Sequence, residues 1–160
     1  MIIVIMGVSG SGKTTIGSLL AKELNIKFYD ADDFHSESNK EKMSKGIALS
    51  DDDRMMWLND LRGLIKTIGE ENASGVLACS ALKEAYRDML QVNDQVKFVY
   101  LKGSFEQIES RLNERKNHYM PVKLLKSQFD ALEEPKNVLT IDISNSPETI
   151  IKIIREGFNL

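Results

Sequence analysis

Short apolar runs alternate along this chain with longer stretches in which apolar residues recur every three or four positions. Ile2 to Met6, Lys27 to Tyr29, Val76 to Cys79, Val96 to Leu101 and Val138 to Ile141 are the short runs, rich in Val, Ile, Phe and Tyr. They predict buried strands. Ile16, Leu19, Leu20 and Leu24 share one helical face, and Trp57, Leu58, Leu61, Ile65 and Ile68 share another. Ser50 and Asp53 stand at capping-box spacing ahead of the second group. Ser104 and Gln107 repeat that signal before Phe105, Ile108 and Leu112. Pro147 falls at the first helical position before Ile150, Ile151 and Ile154. Strands alternating with helices predict parallel strands in a three-layer α/β/α sandwich. Residues 1–160 then form a single domain whose ligands sit beyond the carboxyl ends of the strands.

Two stretches depart from the alternation. Residues 33–50 are polar and charged with weak periodicity, and residues 111–121 gather Arg111, Arg115, Lys116, His118 and Tyr119. Long connections inside a compact domain are commonly functional, and active-site lids are among them. The first stretch, extended to about 33–58, is expected to bind an acceptor. The second, about 111–128, is expected to be a mobile lid.

Composition narrows the function classes. With 42% hydrophobic and 28% charged residues, the chain has the balance of a soluble globular protein. A net charge of -3 argues against general nucleic-acid binding but allows an anionic small substrate in a locally positive cleft. Cys79 is the single cysteine, so no internal disulfide forms and a reducing, cytoplasmic location is expected. The longest apolar run, Met1 to Met6, is far below the ~20 residues that span a bilayer. No basic segment precedes it, so no signal peptide or membrane partner is expected.

The sharpest motif is Gly7-Val8-Ser9-Gly10-Ser11-Gly12-Lys13-Thr14, a full G-x-x-x-x-G-K-[ST] phosphate loop between a predicted strand and an amphipathic helix. Its glycines let successive N–H groups turn inward on phosphate oxygens, and the helix N-terminus adds positive potential. Lys13 then reaches the β- and γ-phosphates of ATP, the Thr14 hydroxyl ligates Mg²⁺, and Thr15 completes the nucleotide contacts. A GTPase switch is not expected. Asn39-Lys40-Glu41-Lys42 lacks the aspartate of N-K-x-D, and Asp60-Leu61-Arg62-Gly63 lies inside a helical pattern.

Asp30-Ala31-Asp32-Asp33 ends the second strand on the ligand edge, with Asp30 and Asp32 on one side of it. One carboxylate can hold a Mg²⁺-bound water while the other accepts a hydroxyl proton from the acceptor. His35 is a candidate donor to a substrate oxygen. Arg54, Lys83 and Arg87 are candidate cations for an acceptor anion, the last two one helical turn apart. Asp51, Asp52 and Asp53 are expected to serve the dipole of the helix they begin. Arg111 and Arg115, also one turn apart, fit either helix-dipole compensation or a lid that closes guanidinium groups over the transferring phosphoryl group.

Together these residues resemble the gluconate kinase (gluconokinase) family, relatives of shikimate and adenylate kinases. The resemblance rests on the phosphate loop, Asp30-x-Asp32-x-x-His35, Asn39-x-x-Lys42-Met43-x-x-Gly46-x-x-Leu49 and Asp51-x-Asp53-Arg54-x-x-Trp57-Leu58. It continues through Cys79-Ser80-Ala81-Leu82-Lys83, Tyr86-Arg87-Asp88, Leu101-Lys102-Gly103, Arg111-x-x-x-Arg115-x-x-His118 and Ser127-Gln128-Phe129-x-x-Leu132-Glu133-x-Pro135. It implies ATP-dependent phosphorylation of D-gluconate at the 6-hydroxyl, a five-stranded parallel sheet, a mobile lid and a homodimer. By the same resemblance Asp32 serves as base and Asp30 lies nearer the metal. Ser36 stands where such sequences often carry proline, which predicts a looser loop, and Tyr119 replaces a phenylalanine. Shikimate, nucleoside monophosphates and other aldonates are the alternative acceptors, and a non-catalytic nucleotide-gated regulator is the alternative of another class.

Overall fold

A computed structural model describes residues 1–114 and 121–160. Its central strand, β1 (Ile2–Met6), has no residue more than 4% exposed. That accounts for a run with no polar alternation, since a central parallel strand is covered on both faces. The other strands are β2 (Lys27–Asp30), β3 (Gly75–Ala78), β4 (Val96–Lys102) and β5 (Leu139–Asp142). All pair in parallel, in the order β2–β3–β1–β4–β5.

The pleat divides the core in two. Ile3 and Ile5 face a cluster that includes Ile16 and Leu20 of α1 (Lys13–Leu24), Ile108 and Leu112 of α5 (Phe105–Glu114), and Ile150, Ile151 and Ile154 of α7 (Pro147–Phe158). Ile2, Val4 and Met6 face Trp57, Leu58, Leu61, Ile65 and Ile68 of α3 (Asp51–Glu70), with Tyr86 and Leu90 of α4 (Glu84–Leu90). The result is the expected helix–sheet–helix sandwich.

Local chemistry sets the helix ends. Ser50 and Asp53 form a reciprocal capping box at the start of α3, and the Ser146 side chain with Pro147 starts α7. The Ser104 hydroxyl accepts the Gln107 N–H at 3.1 Å while Gln107 Oε1 accepts the Ser104 N–H at 2.9 Å, ahead of α5. Asn25 and Asn159 adopt left-handed conformations that close α1 and α7.

The expected acceptor stretch and the described part of the expected lid (about 111–128) both carry helix. A 3₁₀ turn (Ala31–Phe34) and α2 (Glu37–Ser44) follow β2, and α6 (Val122–Ala131) precedes β5. Ser36 is tied into the start of the helix that follows it. Its hydroxyl caps α2 by accepting the Asn39 N–H at 3.1 Å. The expected lid spans both described and undescribed residues; Arg115, His118 and Tyr119 lie outside the described ones.

Candidate active site

The carboxyl ends of β1, β2 and β3 lie side by side, because Ile5 and Asp30 both register with Ala78. Each strand therefore delivers its following loop to one edge of the sheet. There a cavity of about 960 Å³ opens.

The loop after β1 forms one wall, through Ser9, Gly10, Gly12, Lys13, Thr14 and Thr15. Gly7 has φ 152°, and a Cβ there would lie 2.7 Å from Ser11 Oγ. Gly12 has φ 99° and is the N-cap of α1. Both positions exclude a side chain for backbone reasons, which is why the motif demands glycine there. Lys13 Nζ donates to the Val8 carbonyl at 2.9 Å, so the side chain folds back across the loop. Thr14 Oγ1 donates to Asp30 Oδ2 at 3.2 Å, joining the start of α1 to the end of β2.

The loop after β2 forms the facing wall. Asp30 Oδ1 accepts the Asp32 N–H at 3.0 Å, and both carboxylates line the cavity. Burial, reinforced by the neighbouring Asp30 charge, raises the Asp32 carboxyl above the ordinary range, while Lys13 opposes the shift. Trp57 fixes this turn from α3 by donating its indole N–H to the Ala31 carbonyl at 2.7 Å. The same indole stacks on His35 with ring centroids 4.1 Å apart. His35 is 8% exposed, and burial with the nearby Arg54 and Lys40 charges pushes its imidazole down to about 4. The ring is therefore neutral at pH 7. The Asn39 amide lies 3.4 Å from its Nδ1, which places the ring proton on Nε2.

The cavity wall is completed by a charged cluster on α3 and α4. Asp51 Oδ1 accepts Lys83 Nζ at 2.9 Å and also the Tyr86 hydroxyl. These two bonds hold the Asp51 carboxyl below its usual range. Arg54 and Lys83 flank the Tyr86 ring, their charges 5.8 and 5.7 Å from its centroid. Arg54 donates to the Leu49 carbonyl at 2.7 Å and lies 3.4 Å from the Tyr86 hydroxyl. Asp51 is thus part of the cavity wall, beyond the helix-dipole role expected of it. Tyr86 and Asp51 were not among the site candidates; both stand in motifs that carry the resemblance, but Asp51 meets its partners across 32 and 35 positions of sequence, which no local spacing shows.

Arg87 departs from expectation. It does not line the cavity with Arg54 and Lys83; its guanidinium donates to the carbonyls of Ala81 and Leu82, at 2.8 and 3.1 Å, and of Glu133 at 2.8 Å. Ala81 holds a left-handed φ of 46°, so Arg87 braces a strained turn just before Lys83. Arg111, in the last turn of α5, donates to the Ile143 carbonyl. Its Nη1 lies 3.9 Å from where a Cβ on Gly12 would stand, beside the phosphate loop. Cys79 also lines the cavity, but burial pushes its thiol up to about 12, so it is no nucleophile.

A cavity with a phosphate loop on one side, a carboxylate pair at its floor and cations opposite has the parts of a phosphoryl-transfer site. Comparison with known proteins agrees. The sequence model of the shikimate kinase family matches residues 9–152. The thermosensitive gluconokinase of Escherichia coli (strain K12) is 44% identical over 159 residues, covering 96% of this chain and 85% of that protein. The gluconokinase of Arabidopsis thaliana is 44% identical over 171 residues, covering 97% and 90%. Among solved structures, a gluconokinase from Sinorhizobium meliloti 1021 superposes with a TM-score of 0.86 at 36% identity, covering 98% of this chain and 90% of that one.

Proposed function

The chain belongs to the gluconokinase family, a branch of the shikimate-kinase type of P-loop kinases, and from that premise we propose that it phosphorylates D-gluconate at the 6-hydroxyl with ATP. One observation carries the reading: the phosphate loop, Asp32 and the cations Arg54 and Lys83 all line the same cavity.

The reaction follows from that placement. Loop N–H groups and the α1 N-terminus receive the phosphates of ATP, and Lys13 turns from the Val8 carbonyl to the β- and γ-oxygens. The gluconate carboxylate is read by Arg54 and Lys83, and the neutral His35 donates from Nε2 to an acceptor hydroxyl. Asp32 accepts the proton of the 6-hydroxyl as its oxygen bonds to the γ-phosphorus. The bond from that phosphorus to the bridging oxygen breaks, and ADP leaves. Arg111 stabilises the charge on the transferring group, and Arg115 is assigned the same task by its place in the motif.

Among the described residues no group of three or more His, Cys, Asp or Glu side chains could hold a metal alone. Thr14 and Asp30, with oxygens 3.2 Å apart beside the loop, suit a hard cation that shares its coordination with phosphates and water. They would hold Mg²⁺, which when bound neutralises phosphate charge. The family resemblance further supports a homodimer. A cytoplasmic site accords with the single buried Cys79, and among the described residues no helix is long and apolar enough to cross a membrane.

The test is ADP release from ATP with gluconate, glucose, shikimate and nucleoside monophosphates offered separately. Gluconate should be turned over at least about 10-fold better, by kcat/KM, than neutral glucose, the factor that losing one charge-assisted hydrogen bond costs, and better than shikimate or the nucleotides. Preference for shikimate or a nucleotide overturns the proposal.

A further inference from the structure

Helix α6 reaches the phosphate loop through one side chain. Gln128 Oε1 accepts the Ser9 backbone N–H at 2.7 Å, and Gln128 Nε2 donates to the Ser9 hydroxyl at 3.0 Å. A backbone N–H can only donate, so it fixes which end of the carboxamide faces it and leaves the NH₂ end for the hydroxyl. Two bonds on one residue thus close across 119 positions of sequence.

The helix behind Gln128 is anchored at both ends. Leu125 is 1% exposed and packs in the cluster that holds Val8, Leu82 and Leu112. Just past the helix, the Glu133 N–H donates to the Leu82 carbonyl and Glu133 Oε1 accepts the Glu84 N–H, both at 2.8 Å. Ser9, by contrast, sits in a stretch between Gly7 and Gly10, both at positive φ, where the backbone has no strand or helix to shape it.

We propose that Gln128 is a positioning residue for the phosphate loop, gripping Ser9 from a helix packed on the core so that the loop is already curved to receive nucleotide phosphates. The proposal rests on the reading that this loop binds ATP. A loop shaped in advance draws less on binding energy for its own ordering, so loss of the grip should appear in nucleotide affinity before anything else.

The experiment compares the full chain with Gln128→Ala, Ser9→Ala and the double variant, measuring KM for ATP and gluconate and the affinity for ADP by calorimetry. Gln128→Ala should raise the ATP KM and the ADP Kd about tenfold, the scale of two neutral hydrogen bonds, with the gluconate KM within about twofold. Ser9→Ala removes one of the two bonds and should weaken ADP about threefold in the native chain, but not further in the Gln128→Ala chain. Equal rises in both KM values mark a merely structural role and overturn the proposal, as do unchanged ATP and ADP affinities. If Gln128→Ala fails to fold, Ser9→Ala decides alone, and unchanged ADP affinity there overturns it. A native chain that binds no ADP defeats the kinase reading instead, which separates the two failures.

Discussion

Lys13 and Asp32 are the residues proposed to act at the reacting atoms, so their substitutions test chemistry most directly. Lys13→Ala should keep the fold and lower kcat by orders of magnitude, since the ammonium acts on charge that develops in transfer. Near-native turnover in a folded Lys13→Ala chain would remove the phosphate loop from the mechanism. Asp32→Asn keeps the shape but cannot take a proton, and general-base help is worth ~10²–10⁴-fold in kcat. Because burial and Asp30 raise the Asp32 carboxyl, activity of the native chain should fall on the acid side at a pH above the ordinary carboxylate range. A pH profile flat to that range would contradict the assignment. His35 has the opposite consequence for stability. Its folded value is lowered from 6.5 to about 4, so between those pH values the unfolded chain binds a proton that the folded chain does not. Stability should therefore rise from pH 4 to 6.5 and gain nothing further from His35 above that. His35→Gln should flatten this slope in urea titrations, and an unchanged slope would show that the ring is not held neutral. At this scale the sequence was informative where chemistry is local. The phosphate loop is a contiguous code, and Asp30 and Asp32 stand two positions apart. Asp51, Tyr86 and Gln128 enter only through contacts that chain folding makes, and Arg87 looked like a ligand cation because its carbonyl partners leave no mark in sequence.

Elements hold these residues in place, and α3 contributes most to the acceptor side. It carries Arg54 and Asp51 at its start, and Trp57 one turn later ties Ala31 and His35. Lys42 of α2 is braced to the Asp53 carboxylate at 2.9 Å, so α2 is hung on the same helix. Trp57→Phe keeps a ring against His35 but strands the Ala31 carbonyl. It should cost about 1–3 kcal/mol in urea unfolding and lower kcat with it. A variant as stable as the native chain would mean that the indole N–H does not hold the turn. The strands and amphipathic helices were legible within a residue or so, because burial on one or both faces writes a period into the sequence. The 3₁₀ turn and α2 were not, because α2 buries only Asn39 and has no apolar stripe to read. α6 was hidden for a related reason: Leu124 and Leu125 alone are buried in it, too few to show a period.

Across the whole molecule, the parallel sheet brings β1, β2 and β3 to one edge, so residues from Ser9 to Tyr86 converge on a single cavity. Alternation of elements implied parallel strands, but the order β2–β3–β1–β4–β5 depends on which faces pack and could not be read along the chain. That order puts the phosphate loop beside the acceptor wall, and acceptor choice is the property that emerges. On the proposal that Arg54 and Lys83 read the gluconate carboxylate, neutral glucose should be poorer than gluconate by about 1.5–3 kcal/mol in transition-state binding. Similar kcat/KM values for the two would dissociate the cations from recognition. Transfer to the 6-hydroxyl of gluconate is decided by identifying the product. Phosphorus NMR of the reaction of ATP with gluconate should show a new phosphate monoester coupled to the two protons of carbon 6, formed in step with ADP. An ester on another carbon, or ADP released with inorganic phosphate and no ester, would contradict the account.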